Sequence, residues 1–188
     1  MAKTNSHLEE GNFIERKFYG KVEIERAWSF LYFQQQGIAQ DIIHHLKYEN
    51  CPEVGVLIGK RYGLDLKDKI SEYAIDYVIP VPLHYKKHKS RGYNQSEMFA
   101  KGLSDSLGIP LLNALQREKD TKTQTKKSRI QRWQNVESIF TVKDFSVTNK
   151  NVLLVDDVVT TGSTLESCAE TLINNNCKVF IATLAAAK

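Results

Sequence analysis

Two adjacent carboxylates, Asp156 and Asp157, are the residues whose types and spacing point most directly to chemistry. They follow an apolar run at residues 152–155, which predicts a buried central strand leading straight into the pair. Neighbouring carboxylates in such a place repel each other and lose solvation, so a fold seldom needs them for stability. Two adjacent hydroxyl groups of a sugar can each donate a hydrogen bond to one carboxylate. The pair therefore predicts a binding site for a sugar diol.

A run of small residues follows the acidic pair. It consists of Thr160, Thr161, Gly162, Ser163 and Thr164, and it opens a predicted helix at about residues 163–174. Backbone N–H groups in such a turn can point inward, and a helix N-terminus adds about half a positive charge, so a phosphate monoester fits. The alternative is that the run only caps the helix and the aspartates lie in a solvated turn. Capping explains one Ser or Thr, but neither the acidic pair nor the whole run.

The contiguous pattern of apolar strand, two acids and T-T-G-S-T resembles the signature with which type I phosphoribosyltransferases bind 5-phosphoribosyl-1-pyrophosphate (PRPP). The resemblance implies that Asp156 and Asp157 hold the ribose hydroxyls and that residues 160–164 hold the 5-phosphate. Residues 42–59, 77–103 (with P-V-P-L and R-G-Y-N-Q) and 124–140 are similar to competence protein F-like (ComF-like) members of that class. These similarities extend over roughly residues 20–186.

A basic stretch without acidic residues lies between Tyr77 and Ser96; it contains Lys86, Lys87, Lys89 and Arg91. The resemblance implies that this stretch is the pyrophosphate-binding loop, with Leu83, His84, Tyr85, Arg91 and Gly92 as its candidate residues. Arginine suits a diphosphate because its planar fork bonds two oxygens at once. The alternative is a solvated basic loop. His84 and His88 are four residues apart, but no third metal ligand accompanies them, which favours surface histidines.

A second basic segment covers residues 117–135, a long polar stretch that predicts a loop. Between Arg117 and Arg132 seven basic residues stand against two acidic ones, a net charge of +5. The resemblance implies a flexible catalytic lid that closes over PRPP and excludes water, with Lys127 and Arg129 in catalytic roles. A nucleic-acid contact is the alternative, because basic residues also suit phosphate backbones, and the two uses are compatible.

The chemistry implied by the resemblance is displacement of pyrophosphate from C1 of PRPP by a nitrogenous acceptor. Mg2+ and basic side chains would neutralise the leaving group, with Mg2+ arriving through PRPP and not held in a protein cage. The acceptor would contact a small N-terminal hood, but no residue there identifies it. Trp28, Tyr32 and Phe33 could stack on a ring, although aromatic residues in strands more often belong to the core.

The elements that must position these residues predict an α/β fold: a twisted, mostly parallel sheet with helices on both faces. We expect a flexible lead-in at residues 1–19 and a phosphoribosyltransferase domain at 20–188, with the hood at about 20–72 and the PRPP-binding core at about 73–188. Predicted strands lie at residues 75–81, 109–115, 139–142, 151–155 and 178–184, and one or two short antiparallel strands lie within 21–33. Predicted helices lie at residues 38–48, at 53–62 with Gly63 as the stop, and around 98–107.

The overall composition is that of an ordinary globular protein. The 188 residues are 41% hydrophobic and carry a net charge of +4, which admits an anionic partner without demanding nucleic acid. Cys51, Cys168 and Cys177 form no C-x-x-C pair and are expected to be buried and reduced. The N-terminus has no signal-peptide h-region, and the longest apolar stretch is far short of the ~20 residues that span a bilayer. We therefore expect a cytoplasmic protein without membrane insertion.

Three functions compete at this stage. The first is a ComF-like phosphoribosyltransferase whose setting, by resemblance, is competence and DNA uptake. The second is a non-catalytic PRPP-binding or DNA-handling module that contacts DNA or the competence machinery, and the third is a plain nucleic-acid-binding protein. ComF-like proteins usually begin with a Cys-rich, zinc-ribbon-like segment, and the start of this sequence resembles the stretch just after it. The P-loop and dinucleotide-binding motifs are absent from the sequence.

Overall fold

A computed structural model of the chain describes residues 2–118 and 139–188. The helices and strands in these residues are, in chain order, β1 (Arg26–Tyr32), α1 (Ile38–Tyr48), α2 (Pro52–Ser71), β2 (Tyr77–Pro80), α3 (Tyr85–Arg91), α4 (Gln95–Leu107), β3 (Leu115–Arg117), β4 (Phe140–Val142), β5 (Asn151–Val159), α5 (Ser163–Ile173) and β6 (Lys178–Ala186). Short 3-10 helices occur at Ser6–Leu8, Glu15–Lys17 and Phe145–Val147. None of the helices in these two ranges is long and apolar enough to cross a membrane.

A parallel sheet in the order β1-β6-β5-β2 forms the centre of the fold. The predicted central strand is β5, whose residues 152–155 are fully buried. Strands buried on both faces of a parallel sheet are expected to be apolar throughout, because side chains of either direction meet a helix layer. The predicted α/β class with a mostly parallel sheet and helices on both faces is therefore confirmed.

Each face of the sheet has its own core. On one face α5 packs with the N-terminal segment, and its buried residues include Ile14, Phe18, Leu165, Cys168 and Leu172. On the other face α1, α2 and α4 pack together, with Leu46, Tyr62, Leu66, Phe99 and Leu103 among the buried residues. Helices thus cover both faces of the sheet that contains β5. The packing of the two layers fixes the position of Asp156 and Asp157 on that strand.

Helices α2 and α4 touch backbone to backbone. A Cβ added to Gly59 would collide with the carbonyl oxygen of Phe99, and one added to Gly102 would collide with that of Val56. Gly63 faces Ser106 in the same way, so its role is close packing. The prediction that the second helix stops at Gly63 is therefore wrong, and α2 continues to Ser71. A glycine that ends a helix and one that admits a neighbouring helix look alike in sequence.

Residues 2–19 pack against the sheet, which differs from the expected flexible lead-in. The side chain of Asn12 donates to the carbonyl of Ala27 (2.9 Å) and accepts from the backbone of Ile14 (2.9 Å). Glu15 pairs with Arg26 at 2.7 Å, and Ile14 and Phe18 are buried. The apolar residues here are few and separated by charged ones, so they form neither a helical nor a strand periodicity in the sequence. Their burial depends on partners distant in sequence.

Strand β1 is the edge of the main sheet. It pairs parallel with β6 from Arg26 to Tyr32, and its antiparallel pairing is limited to one bridge between Leu31 and Lys3, so the prediction of antiparallel strands in residues 21–33 is wrong for the main pairing. Alternation shows that one strand is half-buried but not the direction of its partner. The predicted strand at 109–115 is reduced to a single bridge between Leu111 and Val78, and Leu115 begins β3, which pairs antiparallel with β4.

The other predicted elements are confirmed with small changes at their ends. The helix at residues 38–48 matches α1, and those at 98–107 and 163–174 match α4 and α5. Strands β2, β4, β5 and β6 lie where the sequence predicts them. Cys168 and Cys177 are buried and unpaired as expected, whereas Cys51 is unpaired and only partly buried.

Candidate active site

Asp156 and Asp157 lie inside β5, just beyond the point where its neighbour β2 ends. The β2–β5 pairing stops at Pro80 and Val155, whereas the β5–β6 pairing continues to Val159. One edge of β5 is therefore hydrogen-bonded at the acidic pair while the other is open. Parallel sheets bind ligands in such a crevice outside the carboxyl end of a strand. The sequence prediction of a strand that runs into the pair is correct, and the strand also continues through it.

Asp156 is a buried carboxyl group, 9% exposed. Its Oδ1 accepts hydrogen bonds from the Ser96 hydroxyl (2.7 Å) and from the backbone N–H of Asp157 (2.9 Å). Burial first, and the neighbouring charge of Asp157 second, raise the pKa of Asp156 to about 7. The two donors and Lys47 oppose that shift. A carboxyl poised in this way changes charge near neutral pH.

Asp157 is held by Lys47, the penultimate residue of α1. The Lys47 Nζ lies 2.8 Å from Asp157 Oδ2. Tyr93 fixes this end of α1 by donating its hydroxyl to the carbonyl of Leu46 (2.6 Å). Within residues 2–118 and 139–188, no donor reaches Asp156 Oδ2 or Asp157 Oδ1. Each carboxylate thus has one oxygen held by the protein and one available to a ligand.

The predicted phosphate turn connects β5 to the N-terminus of α5. Gly162 has φ 89°, a left-handed conformation that favours glycine, and α5 begins at Ser163. The hydroxyls of Thr161 and Ser163 lie 3.1 Å apart. The turn, Asp156 and residues 158–165 enclose a shallow cavity of about 50 Å³. Free N–H groups of a helix N-terminus and hydroxyl donors are brought together here, as phosphate binding requires.

Phe18 lies under this turn. A Cβ added to Gly162 would be 3.2 Å from Cε1 of the Phe18 ring. The N-terminal segment therefore presses on the turn from the core side, and the close approach is a second reason for glycine at position 162. Sequence reasoning missed this contact because residues 1–19 gave no structural signal.

A larger cavity of about 250 Å³ adjoins the acidic pair. It is lined by Lys47, Tyr48, Val81, Pro82, Leu83, Arg91, Asn94, Gln95, Ser96, Arg117, Asp156, Asp157 and Thr164. Of the predicted site residues, Leu83, Arg91, Asp156, Asp157 and Thr164 meet in this cavity. Three cationic side chains, those of Lys47, Arg91 and Arg117, share its wall with the two carboxylates. The arrangement suits a ligand that carries both hydroxyl groups and anionic groups.

The predicted pyrophosphate loop is mostly helical. The side chain of His84 caps α3 by accepting from the Lys86 N–H (3.3 Å), and Gly92 ends the helix in a left-handed conformation. The prediction of a loop is therefore wrong for residues 85–91, since a short helix without an apolar face leaves no period in the sequence. Tyr85 lines a neighbouring groove, whereas Arg91 reaches the cavity with its guanidinium over the Tyr48 ring at 5.8 Å.

Some predictions fall elsewhere. Lys127 and Arg129 lie outside the described residues. Trp28 is fully buried beside Tyr73 and Phe180, so it belongs to the core. In the two described ranges no three His, Cys, Asp or Glu side chains come together as a metal site.

Sequence reasoning missed Lys47, Ser96 and Arg117 as neighbours of the acidic pair. Lys47 and Ser96 fall within the segments similar to ComF-like proteins, so those segments were the available signal. Neither residue stands out by type, because a lysine near a helix end and a serine near a helix start are common in any fold.

A fold and a site of this kind define a phosphoribosyltransferase domain, and comparison with known proteins agrees. The model of the phosphoribosyl transferase domain family matches residues 94–188, half of the chain. The chain therefore belongs to this family.

Three relatives show which members of this family the chain resembles. Competence protein F of Haemophilus influenzae is 34% identical over 137 residues, which are 70% of this chain and 60% of that protein. DNA utilization protein YhgH of Escherichia coli O157:H7 is 31% identical over 138 residues, 71% of this chain and 60% of that protein. Competence protein ComFC of Bacillus subtilis is 35% identical over 96 residues, 51% of this chain and 38% of that protein. The resemblance to ComF-like phosphoribosyltransferases is thus confirmed.

Proposed function

We propose that this chain binds PRPP and transfers its phosphoribosyl group to a nitrogenous acceptor with release of pyrophosphate. The observation that carries the proposal is the pair of available oxygens, Asp156 Oδ2 and Asp157 Oδ1, beside the turn at the start of α5. A ribose diol can donate one hydrogen bond to each oxygen. The 5-phosphate of the same molecule then reaches the N–H groups and hydroxyls of residues 160–164.

The diphosphate of PRPP belongs, in this proposal, beside the cations of the 250 Å³ cavity. Arg91 offers a planar fork that bonds two oxygens at once, and Lys47 and Arg117 add positive charge. Charge develops on the departing pyrophosphate as its bond to C1 breaks. Cations fixed before the reaction stabilise this charge without reorganisation, which is how the chain's own residues would lower the barrier.

Mg2+ fits this site as a companion of PRPP. Asp156 and Asp157 accept from the diol in this proposal. The oxygens of the diol and the diphosphate, together with water, are the hard donors that would hold the ion, which usually takes most of its ligands from water and substrate phosphates. Bound there, it would neutralise the diphosphate. Lys47 already balances the charge of Asp157, so the chain does not need to ligate the ion itself in order to reduce the repulsion within the acidic pair.

The relatives favour a second candidate, a PRPP-binding module without turnover that handles DNA. Two of them are named for competence and one for DNA utilization. A groove of about 640 Å³ beside the site is lined by His88, Lys89, Arg117 and Lys143, with Glu97 as its acidic residue. Ligand binding and fold do not by themselves establish turnover. In either case the proposed setting is competence and DNA uptake.

The test is calorimetry of PRPP binding with Mg2+. We compare the wild-type chain with an Asp156→Asn/Asp157→Asn variant and with Glu23→Gln/Glu25→Gln, which removes two charges from exposed positions. Binding should be lost in the first variant and kept in the second. A folded wild-type chain that does not bind PRPP overturns the proposal.

A second measurement separates the two candidates. Pyrophosphate release is followed with PRPP, Mg2+ and a panel of purine, pyrimidine and pyridine bases. Release with any base, absent in the double aspartate variant, supports the transferase. Tight PRPP binding without release across the panel favours the binding module.

A further inference from the structure

The start of α4 is tied to the end of β2 by Asn94. Its Oδ1 accepts from the Ser96 N–H (3.2 Å) and caps the helix, and its Nδ2 donates to the carbonyl of Val81 (2.9 Å). Both hydrogen bonds are buried. Further along, the glycine contact with α2 fixes the body of α4. The first turn of α4 is therefore fixed by its N-cap on one side and by the packed body of the helix on the other, and it lies beside the open edge of β5.

Ser96 lies in this first turn and is 5% exposed. Its hydroxyl donates to Asp156 Oδ1 at 2.7 Å, a distance typical of a strong hydrogen bond to a carboxylate. With the Asp157 N–H on the same oxygen, Oδ1 has two donors from two different elements. Two donors on one oxygen restrict the orientation of the carboxylate, and Asp156 lines the 250 Å³ cavity with no described donor on Oδ2.

We propose that Ser96 is a positioning residue, whose hydroxyl holds Asp156 as an oriented carboxylate so that Asp156 Oδ2 receives a ribose hydroxyl. This role rests on the proposed function, because it concerns the diol that Asp156 would bind. Ser96 touches neither the diol nor the diphosphate in this scheme. It acts through Asp156. The motif at residues 156–164 does not include this residue, so the role of the start of α4 follows from the structure.

The surroundings of Asp156 make this one hydroxyl important. Asp157 faces it from the same strand, Lys47 from α1 and Cys168 from α5, while Arg91 and Arg117 line the same cavity. Burial and Asp157 favour the protonated acid, and Ser96 is the strongest of the groups that favour the carboxylate. A hydrogen bond to a charged group changes such an equilibrium by about tenfold or more. Loss of the hydroxyl should therefore raise the protonated fraction of Asp156 at neutral pH.

The experiment measures PRPP affinity with Mg2+ from pH 6 to 9 in the wild-type chain and in Ser96→Ala. We expect the affinity of Ser96→Ala to be about fivefold weaker at pH 7 and to recover at higher pH, with the profile displaced upward by about one pH unit. Ser96→Thr keeps the hydroxyl and should restore the wild-type profile. Ser96→Cys retains a weaker donor of similar shape, and it provides the same test if Ser96→Ala does not fold.

Ser104→Ala is the matched control. Ser104 lies on the same helix and donates to the carbonyl of Ile109 at 2.6 Å, away from the cavity. It should leave both the affinity and the pH profile unchanged. An unshifted profile in both Ser96→Ala and Ser96→Cys, with wild-type binding intact, overturns the role of Ser96.

A readout without PRPP separates this inference from the proposed function. The carboxyl 13C resonance of Asp156 is titrated by NMR in the wild-type chain and in Ser96→Ala. The titration should move to higher pH in the variant whether or not PRPP binds. If it moves while the wild-type chain fails to bind PRPP, the proposed function fails and the ligand part of this inference fails with it, whereas an unmoved titration overturns the Ser96 role alone.

Discussion

Asp156 and Asp157 differ in how the fold holds them, although they are neighbours in sequence. A neutral hydroxyl and a backbone N–H hold Asp156, and a cation holds Asp157. The two acids thus differ in their partners: Asp156 accepts only from uncharged donors, and Asp157 is paired with a lysine. A ribose diol needs both to be acceptors, so the affinity for PRPP should depend on these neighbours as much as on the acids.

Lys47→Met tests the contribution of the cation. Removing the ammonium group 2.8 Å from Asp157 Oδ2 leaves the repulsion between the two acids uncompensated and removes a positive charge from the cavity. We expect PRPP affinity at pH 7 to fall about tenfold, the effect of a charged hydrogen bond in a partly buried site. Isothermal titration calorimetry measures it.

Lys60→Met is the control for this lysine. Lys60 pairs with Asp105 at 3.1 Å on the exposed side of α2 and α4, so the same charge is removed from a solvated position. Its effect should stay below about threefold, because surface pairs contribute little. Equal losses in the two variants would mean that Lys47 acts only through net charge.

At the level of elements, the sequence predicts what its own periodicity encodes. Continuous apolar residues specify β5 and β6, and repeats of every four residues specify α1, because those patterns reflect contacts within one element. Gly63 was misassigned, and α3 and residues 2–19 were missed, for the opposite reason. Gly63 packs against Ser106, α3 is defined by its caps at His84 and Gly92, and residues 2–19 pack on one face of the sheet. None of these determinants produces a periodic pattern in the local sequence.

The site residues also fall into those that a local pattern reveals and those that it does not. Asp156, Asp157 and residues 160–164 are contiguous, so a motif reveals them together. Lys47, Ser96 and Arg117 come to them from three other elements, and only the crossing of those elements over the end of β5 makes them neighbours.

Phe18→Leu tests whether the N-terminal segment supports the phosphate turn. The smaller side chain leaves a gap beside Gly162, so we expect a stability loss of about 1–2 kcal/mol and weaker binding of ribose 5-phosphate. Phe30→Leu removes a similarly buried ring from the core on the opposite face. It should cost similar stability and leave ribose 5-phosphate affinity unchanged. Unfolding in urea and calorimetry give the two quantities, and unchanged affinity in both variants would contradict the support.

At the level of the whole molecule, Asp156 makes stability and ligand binding oppose each other. In the folded chain Asp156 keeps its proton up to about pH 7, above the ordinary value of 3.8. Between these values the folded state binds more protons than the unfolded state, so stability falls as pH rises. The proposed binding of PRPP requires the opposite state, the carboxylate. In that proposal the site binds its ligand in the ionised form, which burdens the fold.

Asp156→Asn should relieve this burden. We expect the variant to gain stability relative to the wild-type chain as pH rises from 4 to 8, by up to about 4 kcal/mol, while losing PRPP binding. Urea unfolding at several pH values measures the difference. Asp144→Asn should show the opposite sign in a lower window, because hydrogen bonds from Ser146 lower the pKa of Asp144. Relative to the wild-type chain it should lose stability as pH rises toward about 4 and change little above that value. A difference between Asp156→Asn and wild type that does not change with pH would contradict the raised pKa.

The glycine contact between α2 and α4 has a consequence for saturation mutagenesis. In a scan scored by growth that depends on the protein's function, Gly59, Gly63 and Gly102 should reject nearly every replacement, since even a methyl group meets a neighbouring backbone or hydroxyl. Their scores would rival those of Asp156 and Asp157, although none of the three lines the 250 Å³ cavity. Scoring the same library twice, once for folded protein and once for ligand binding, would sort the two groups, because the glycines fail both screens whereas the aspartates fail only the second.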